Sequence, residues 1–221
     1  MIPSFVRRKG RISNAQKRAL ESLWPRYGLE IDKLLDLEAL FGRQAEKHLE
    51  IGFGRGDALV AMATAHPEHD YIGIDIYRPG IGSLLLQIEA AELTNVRIIS
   101  ADAVELLQKY LPPHCLDAVY LFFPDPWPKQ RHRKRRLVQA EFLKLLAQRL
   151  KYGAIFHLAT DWENYAEQML VELEAAPDFI NSMPGGGFAP RPPERTLTKF
   201  EQRGLRLGHG VWDLVYQRRL I

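Results

Sequence analysis

Residues 48–57 read His48-Leu49-Glu50-Ile51-Gly52-Phe53-Gly54-Arg55-Gly56-Asp57. His48–Ile51 has the character of a short strand, and it runs directly into glycines at alternate positions. Glycine allows a sharp backbone turn and lets a ligand approach without a Cβ in between. The apolar run Ala58–Ala65 then predicts a helix that stops near Pro67. Strand, glycine turn and helix in that order start an α/β sheet that binds ligands at the carboxyl ends of its strands.

The turn narrows the ligand class. A dinucleotide site wants G-x-G-x-x-G with its third glycine at the helix start. Here Gly56 comes one residue early and is followed by Asp57, whose carboxylate would repel a pyrophosphate. A ligand with a nucleoside and a positive charge but no phosphate suits the turn better, and S-adenosylmethionine is such a ligand. Its sulfonium and ammonium call for carboxylates, and its ribose hydroxyls for an acceptor at the end of the second strand. Acids stand after successive predicted strands: Glu50, Asp75, Asp102 and Asp125. A single one could be a helix cap; the series points to a site.

Outward from the turn, the chain alternates strand and helix. Strands are expected at Tyr71–Ile76, Val96–Ile99, Asp117–Phe123 and Ala154–Ala159, and helices at Ile81–Leu93, from Asp102 through Tyr110, at Leu137–Leu150 and at Trp162–Ala175 with Asp161 as cap. Near-continuous apolar strands in this alternation predict a mostly parallel sheet with helices on both faces, a Rossmann-like α/β fold. Before the turn, Met1–Arg11 is basic and aperiodic and reads as a mobile arm. Ser13 or Asn14 caps a predicted helix to about Trp24, ended by Pro25, and a second short helix within Ile31–Phe41 stops at Gly42. We therefore divide the chain into a basic N-terminal arm and helical extension (1–42) and one α/β domain (43–221). Towards the end, Pro177–Ser182 reads as an edge strand, 183–193 as a loop and Val211–Arg219 as a last strand.

The second informative stretch is Leu121–Arg136, LFFPDPWPKQRHRKRR. Pro124, Pro126 and Pro128 fix φ and remove backbone donors, so the strand exit is stiff and holds Asp125 and Trp127 in a loop. Six Lys/Arg follow within residues 129–136. The net charge of +3 hides this polarity. Residues 1–18, 129–136 and 191–206 together carry +15, which leaves 13 basic against 25 acidic residues, or −12, elsewhere. An acidic body with three basic segments suggests a face for nucleic-acid phosphates.

Composition removes other classes. Hydrophobic (46%) and charged (26%) fractions are those of a globular protein. No apolar run is long enough to span a bilayer, and the single cysteine, Cys115, rules out an internal disulfide framework and fits the cytoplasm. Cys115 has only His114 as a neighbour at ligand spacing, so no metal site is expected.

The strings HLEIGFGRGD, FFPDPWPKQRHRKRR, ATDW and TKFEQRG…LGHGVWDLVYQRR, with the basic segment Gly10–Leu20, resemble the bacterial tRNA (guanine-N(7))-methyltransferase family over nearly the whole chain. The resemblance implies a class I methyltransferase fold, S-adenosylmethionine as methyl donor, and a guanine in the tRNA variable loop, at position forty-six, as target. It implies cofactor binding by Glu50, Gly52, Gly54, Asp75, Asp102 and Asp125, with Asp125 also catalytic. It implies substrate binding by Lys129, Asp161 and Thr198-Lys199-Phe200-Glu201, and RNA contact by Arg131, His132, Arg133, Lys134, Arg135 and Arg136. Gln130 and Tyr77 depart from the family pattern, where a second lysine and a histidine are common.

The residue chemistry agrees. Guanine N(7) has a free lone pair, so its methylation depends on positioning and on stabilising developing positive charge. Asp125 suits both, and Trp127 is large enough to stack on a base. Two other readings use the same residues. PDPW resembles the Asp/Asn-Pro-Pro-aromatic loop of exocyclic-amine methylases, although here single prolines flank the acid. A non-catalytic RNA-binding module on this fold is the other. Monomer and homodimer are both open.

Overall fold

A computed structural model describes residues 10–192, 195, 201 and 210–220. Its strands are β1 (Gly28–Leu29), β2 (Lys47–Ile51), β3 (Asp70–Ile74), β4 (Val96–Ile99), β5 (Leu116–Phe122), β6 (Leu150–Thr160), β7 (Phe179–Asn181) and β8 (Trp212–Arg218). They form one sheet in the order β1-β4-β3-β2-β5-β6-β8-β7. All neighbours pair parallel except β8, which is antiparallel to both β6 and β7. The expected mostly parallel sheet is present.

The connections cover both faces. The helices are α1 (Asn14–Ser22), α2 (Trp24–Tyr27), α3 (Leu37–Phe41), α4 (Asp57–Ala65), α5 (Arg78–Ala90), α6 (Ala103–Lys109), α7 (Ala140–Ala147) and α8 (Glu163–Ala175). Alternation along the strands sorts side chains into two cores. Leu49, Ile72, Ile99, Val119 and Phe156 join Leu106, Leu143 and Tyr165 on one face. Tyr71, Ile98 and Phe122 join Leu59, Leu84, Ile88 and Ala19 on the other. Burial of this kind contributes about 25 cal/mol per Å² of apolar surface, and both faces of the central strands benefit.

From β2 the chain moves one way, to β3 and β4, and later returns to place β5 on β2's other side. The carboxyl ends of β2 and β5 therefore flank a topological switch point, where open parallel sheets leave a crevice for a ligand.

Several boundaries differ from those expected from sequence. Pro25 does not end the first helix but sits in the first turn of α2, where its missing N–H costs nothing. Gly28–Leu29, unrecognised because two residues carry no periodicity, pairs with β4 at the sheet edge. α7 spans only Ala140–Ala147, since Leu150 already begins β6. Asp161 does not cap α8: Trp162 holds that position, and its N–H donates to Thr160 Oγ1 at 3.2 Å. The basic run forms a 3₁₀ helix at Gln130–Arg135.

The N-terminal helices rest on the sheet domain. Ser13 and Gln16 form a capping box on α1, and Gln16 Nε2 donates to Pro79 O at 3.0 Å at the start of α5.

Candidate active site

The glycine turn is built as the sequence suggests. Gly52, Gly54 and Gly56 all have positive φ (73°, 57° and 87°). At Gly56 a side chain would collide with Leu84, whereas a side chain at Gly52 or Gly54 would meet no atom of the described residues within 4 Å. A ligand can thus lie against the backbone of the turn. The turn is pinned by Asp75: its Oδ2 accepts from Gly54 N and its Oδ1 from Tyr77 N, both at 2.9 Å.

Glu50 is 3% exposed, and its Oε2 has no hydrogen-bond partner among the described residues. Burial, reinforced by the carboxylates of Asp75 and Asp57, pushes its pKa up to about 8. An unsatisfied buried carboxyl is costly unless a donor or cation arrives to meet it. Asp57, counted from sequence only as an obstacle to pyrophosphate, therefore belongs to the electrostatics of the site. Asp102 has one oxygen committed to the N-terminus of α6, where Oδ1 accepts from Glu105 N at 2.9 Å.

Beyond β5, the loop at 123–128 is strained at two points. Phe123 and Trp127 both have positive φ (52° and 45°), a region non-glycine residues seldom occupy. Between them stand Pro124, half-buried Asp125 and Pro126. Phe123 N donates to Ala159 O at 2.7 Å, and Pro126 O accepts from Arg136 Nε at 2.8 Å. Such strain persists only where surrounding bonds over-determine it, and it concentrates at functional loops.

Trp127, large enough to stack on a base but open in role from sequence, is only 9% exposed and packs under the Arg135 guanidinium, 4.7 Å from the ring centroid, with His132 edge-on. One expectation requires correction. Arg136 was expected to touch RNA, but it is 2% exposed. It turns inward to bond Pro126 O, Asn164 O, Asn164 Oδ1 and Gln168 Oε1, and lies over the Tyr165 ring. The cause is local: the 3₁₀ helix ends at Arg135, so the chain direction changes and the final arginine faces the core. Lys129, Arg131, Arg133 and Lys134 are exposed, and His132 and Arg135 half-buried. The positive field of this run lowers the pKa of His132, after a larger contribution from partial desolvation.

At the end of β6, half-buried Asp161 lines an open cleft with Trp162, Glu163, Asn164, Gly210 and Trp212. Trp162 is 40% exposed and lines this cleft, an exposed aromatic that the sequence did not single out. The string ATDW held the signal, but nothing in it distinguishes an exposed indole from a packed one. Thr198, Lys199 and Phe200 lie outside the described residues, as does His209.

Glu201 is described and buried. Its carboxylate pairs in bidentate fashion with Arg195 (2.7 and 2.6 Å), which also lies 2.7 Å from Asp213 Oδ1. Asp213 Oδ1 is 2.7 Å from His157 Nε2, and the Arg195 guanidinium sits 5.7 Å from the Phe123 ring centroid. The expected substrate contact of Glu201 is thus replaced, in this structure, by a buried ion network behind the strained loop.

These features fit S-adenosylmethionine: a glycine turn with open space before it, an acid at the end of β3, and a buried acid with one oxygen unpaired among the described residues. Comparisons with known proteins agree. Residues 44–214 match a family model described as "Putative methyltransferase". A tRNA (guanine-N(7)-)-methyltransferase of Nitrosospira multiformis is 58% identical, covering 99% of this chain and 95% of that one. One of Hydrogenovibrio crunogenus is 56% identical, covering 98% and 91%. Among solved structures, the 16S rRNA methyltransferase KamB superposes with a TM-score of 0.63 at 16% identity, covering 88% of this chain and 98% of that one. An S-adenosylmethionine-dependent O-methyltransferase of Thermotoga maritima gives 0.51 at 14% identity, covering 84% and 64%. The two structures share the fold, and the sequence relatives carry the family: this chain belongs to the tRNA (guanine-N(7)-)-methyltransferases.

Proposed function

We propose that the chain methylates N(7) of a guanine in the variable loop of tRNA, using S-adenosylmethionine. The observation that carries this reading is the placement of Asp125. A half-buried carboxylate stands in a loop fixed at Phe123 and Pro126, across the switch point from the Glu50–Gly54 turn, with exposed Lys129, Arg131 and Arg133 next in the chain.

Glu50, Gly52, Gly54 and Asp75 would hold the cofactor, with Asp102 at the neighbouring strand end. When bound, the cofactor supplies a methyl group on a positively charged sulfur. The protein supplies position and field. Asp125 accepts hydrogen bonds from the guanine N–H edge and faces the positive charge that develops on the purine, and adenine lacks that donor pattern. No base is needed, because N(7) carries no proton. Lys129, Arg131, Arg133 and Lys134 hold phosphates and confer little base selectivity. Asp161 sits in the adjoining cleft as a second acceptor for substrate donors, and Trp162 offers the exposed ring for stacking. No helix among the described residues is long and apolar enough to cross a membrane, and the tRNA substrate of this reading places the reaction in the cytoplasm.

The test is chemical. The protein is incubated with S-adenosylmethionine and an unmodified tRNA transcript, then the RNA is treated with borohydride and aniline. A single cut in the variable loop is expected. Methyl incorporation without a cut would move the target to another atom.

A further inference from the structure

At the opposite, amino-terminal end of the strands, two segments bring imidazoles and carboxylates together. Glu46 and His48 lie at the start of β2; His66, Glu68 and His69 lie in the turn between α4 and β3. His48 is 6% exposed. Its Nε2 is 3.3 Å from Glu46 Oε2, and the same oxygen is 3.4 Å from His69 Nε2. The ligand atoms of Glu46, His48 and His69 all lie within 4.8 Å of one another. The His48 and His69 rings are 4.6 Å apart between centroids.

The two separations from Glu46 Oε2, 3.3 and 3.4 Å, match the edge of a tetrahedral metal site as well as a hydrogen bond. Zinc binds imidazole nitrogen at about 2.0–2.1 Å, so neighbouring ligand atoms of a tetrahedral site stand about 3.3 Å apart. An outer contact is also in place: His48 Nδ1 lies 3.1 Å from the Tyr120 hydroxyl on β5, the kind of second bond that fixes the tautomer and orientation of a ligating histidine. His69 Nδ1, the ring nitrogen facing away from Glu46, is buried with no hydrogen-bond partner among the described residues, so only His48 has an outer partner here. Two imidazoles and one carboxylate favour zinc over calcium or magnesium, which prefer all-oxygen shells. None of these residues belongs to the cofactor crevice.

We propose that Glu46, His48 and His69 form a site for a divalent transition-metal ion of the zinc type, with the fourth position open to water. The ion ties the start of β2 to the turn that precedes β3. His66 and Glu68, which bond each other at 3.0 Å, stand outside its ligand set.

Chelator-treated full-length protein is titrated with zinc chloride by calorimetry, beside Glu46→Gln, His69→Ala and His66→Ala, each checked for native circular dichroism. One ion per chain is expected. Glu46→Gln and His69→Ala should each weaken binding at least about tenfold, and Tyr120→Phe should weaken it by roughly the tenfold or more typical of a lost outer partner. His66→Ala should change it less than threefold. Both changed residues of the ligand set are partly or fully solvent-reachable, so these variants test binding without removing a core side chain. Absence of one-to-one binding overturns the proposal, as does less than tenfold weakening in either ligand variant. A loss in His66→Ala comparable to that in His69→Ala would overturn the assigned ligand set.

Discussion

Arg136 Nε donates to the carbonyl oxygen of Pro126 at 2.8 Å. The last arginine of the basic run is thereby a brace for the loop that carries Asp125. The run divides into exposed cations that can meet phosphate and one buried cation that holds the loop. Arg136→Ala would leave Pro126 O and the Asn164 acceptors without their donor and should destabilise the fold by about 2–4 kcal/mol. Lysine cannot reproduce the planar fork and should restore little. Urea unfolding checks this. Arg131→Ala and Arg133→Ala, on the exposed side, should change stability by less than about 0.5 kcal/mol.

The same division sets the salt dependence. Four exposed basic residues, Lys129, Arg131, Arg133 and Lys134, give the run a slope of about −3 in log affinity against log salt, if each meets one phosphate of single-strand-like RNA. Each removed should reduce that slope by about 0.7. Filter binding of tRNA between low and physiological salt measures it, and a slope near zero would remove the run from RNA binding.

Glu50 predicts a pH effect with a definite sign. Its pKa rises from the usual 4.5 to about 8 on folding, because burial, and then the nearby carboxylates of Asp75 and Asp57, disfavour its ionised form. The contribution to stability is therefore fully present below pH 4.5 and is lost as pH rises through about 8. Between pH 5 and 8 the cofactor-free protein should lose thermal stability relative to Glu50→Gln. Binding of a cationic cofactor favours the ionised acid, so close to one proton should be released per cofactor near pH 7. Calorimetry in two buffers of different ionisation enthalpy reads that proton, and Glu50→Gln should abolish it.

Trp127 is packed and Trp162 exposed, so truncation should affect them differently. Trp127→Ala empties a packed site and should cost about 3–5 kcal/mol of stability. Trp162→Ala removes an exposed ring and should leave the unfolding midpoint nearly unchanged while weakening tRNA binding by about 1–3 kcal/mol, if the ring stacks on a base. Equal losses of stability in both variants would contradict the assignment.

What could be read in advance followed local rules. The strand, glycine turn and alternating acids of 48–125 are legible because strand ends, turns and helix starts each demand particular residues within a few positions. The inward turn of Arg136 was not legible: six similar cations give no sign of which one meets Asn164 and Gln168, some thirty residues on. Nor was the network of Arg195, Glu201, Asp213 and His157, whose members come together only when β8 adds antiparallel to β6. The proximity of His48 and His69 has the same origin, since it depends on the parallel register of β2 with β3, in which Lys47 stands opposite Asp70. Asp102 was ambiguous as sequence and remains divided in role, capping α6 while lying at a strand end of the crevice.

Asp125 gives the decisive separation of chemistry from binding. Its loop is held by Phe123 N on Ala159 O and by Arg136 on Pro126 O, and the bonds at both anchors use backbone atoms of the loop and not the Asp125 side chain. Asp125→Ala should therefore preserve the loop and keep tRNA affinity within about threefold, because phosphate contacts dominate it. Turnover should fall by about 10²–10³, the usual cost of losing one preorganised group that faces developing charge. Asp125→Asn keeps the shape and an acceptor oxygen but loses the charge, so it should fall between the two. Single-turnover methyl transfer at saturating tRNA, set beside filter binding, distinguishes the effects. A loss of binding as large as the loss of rate would make Asp125 a docking residue and not a catalytic one.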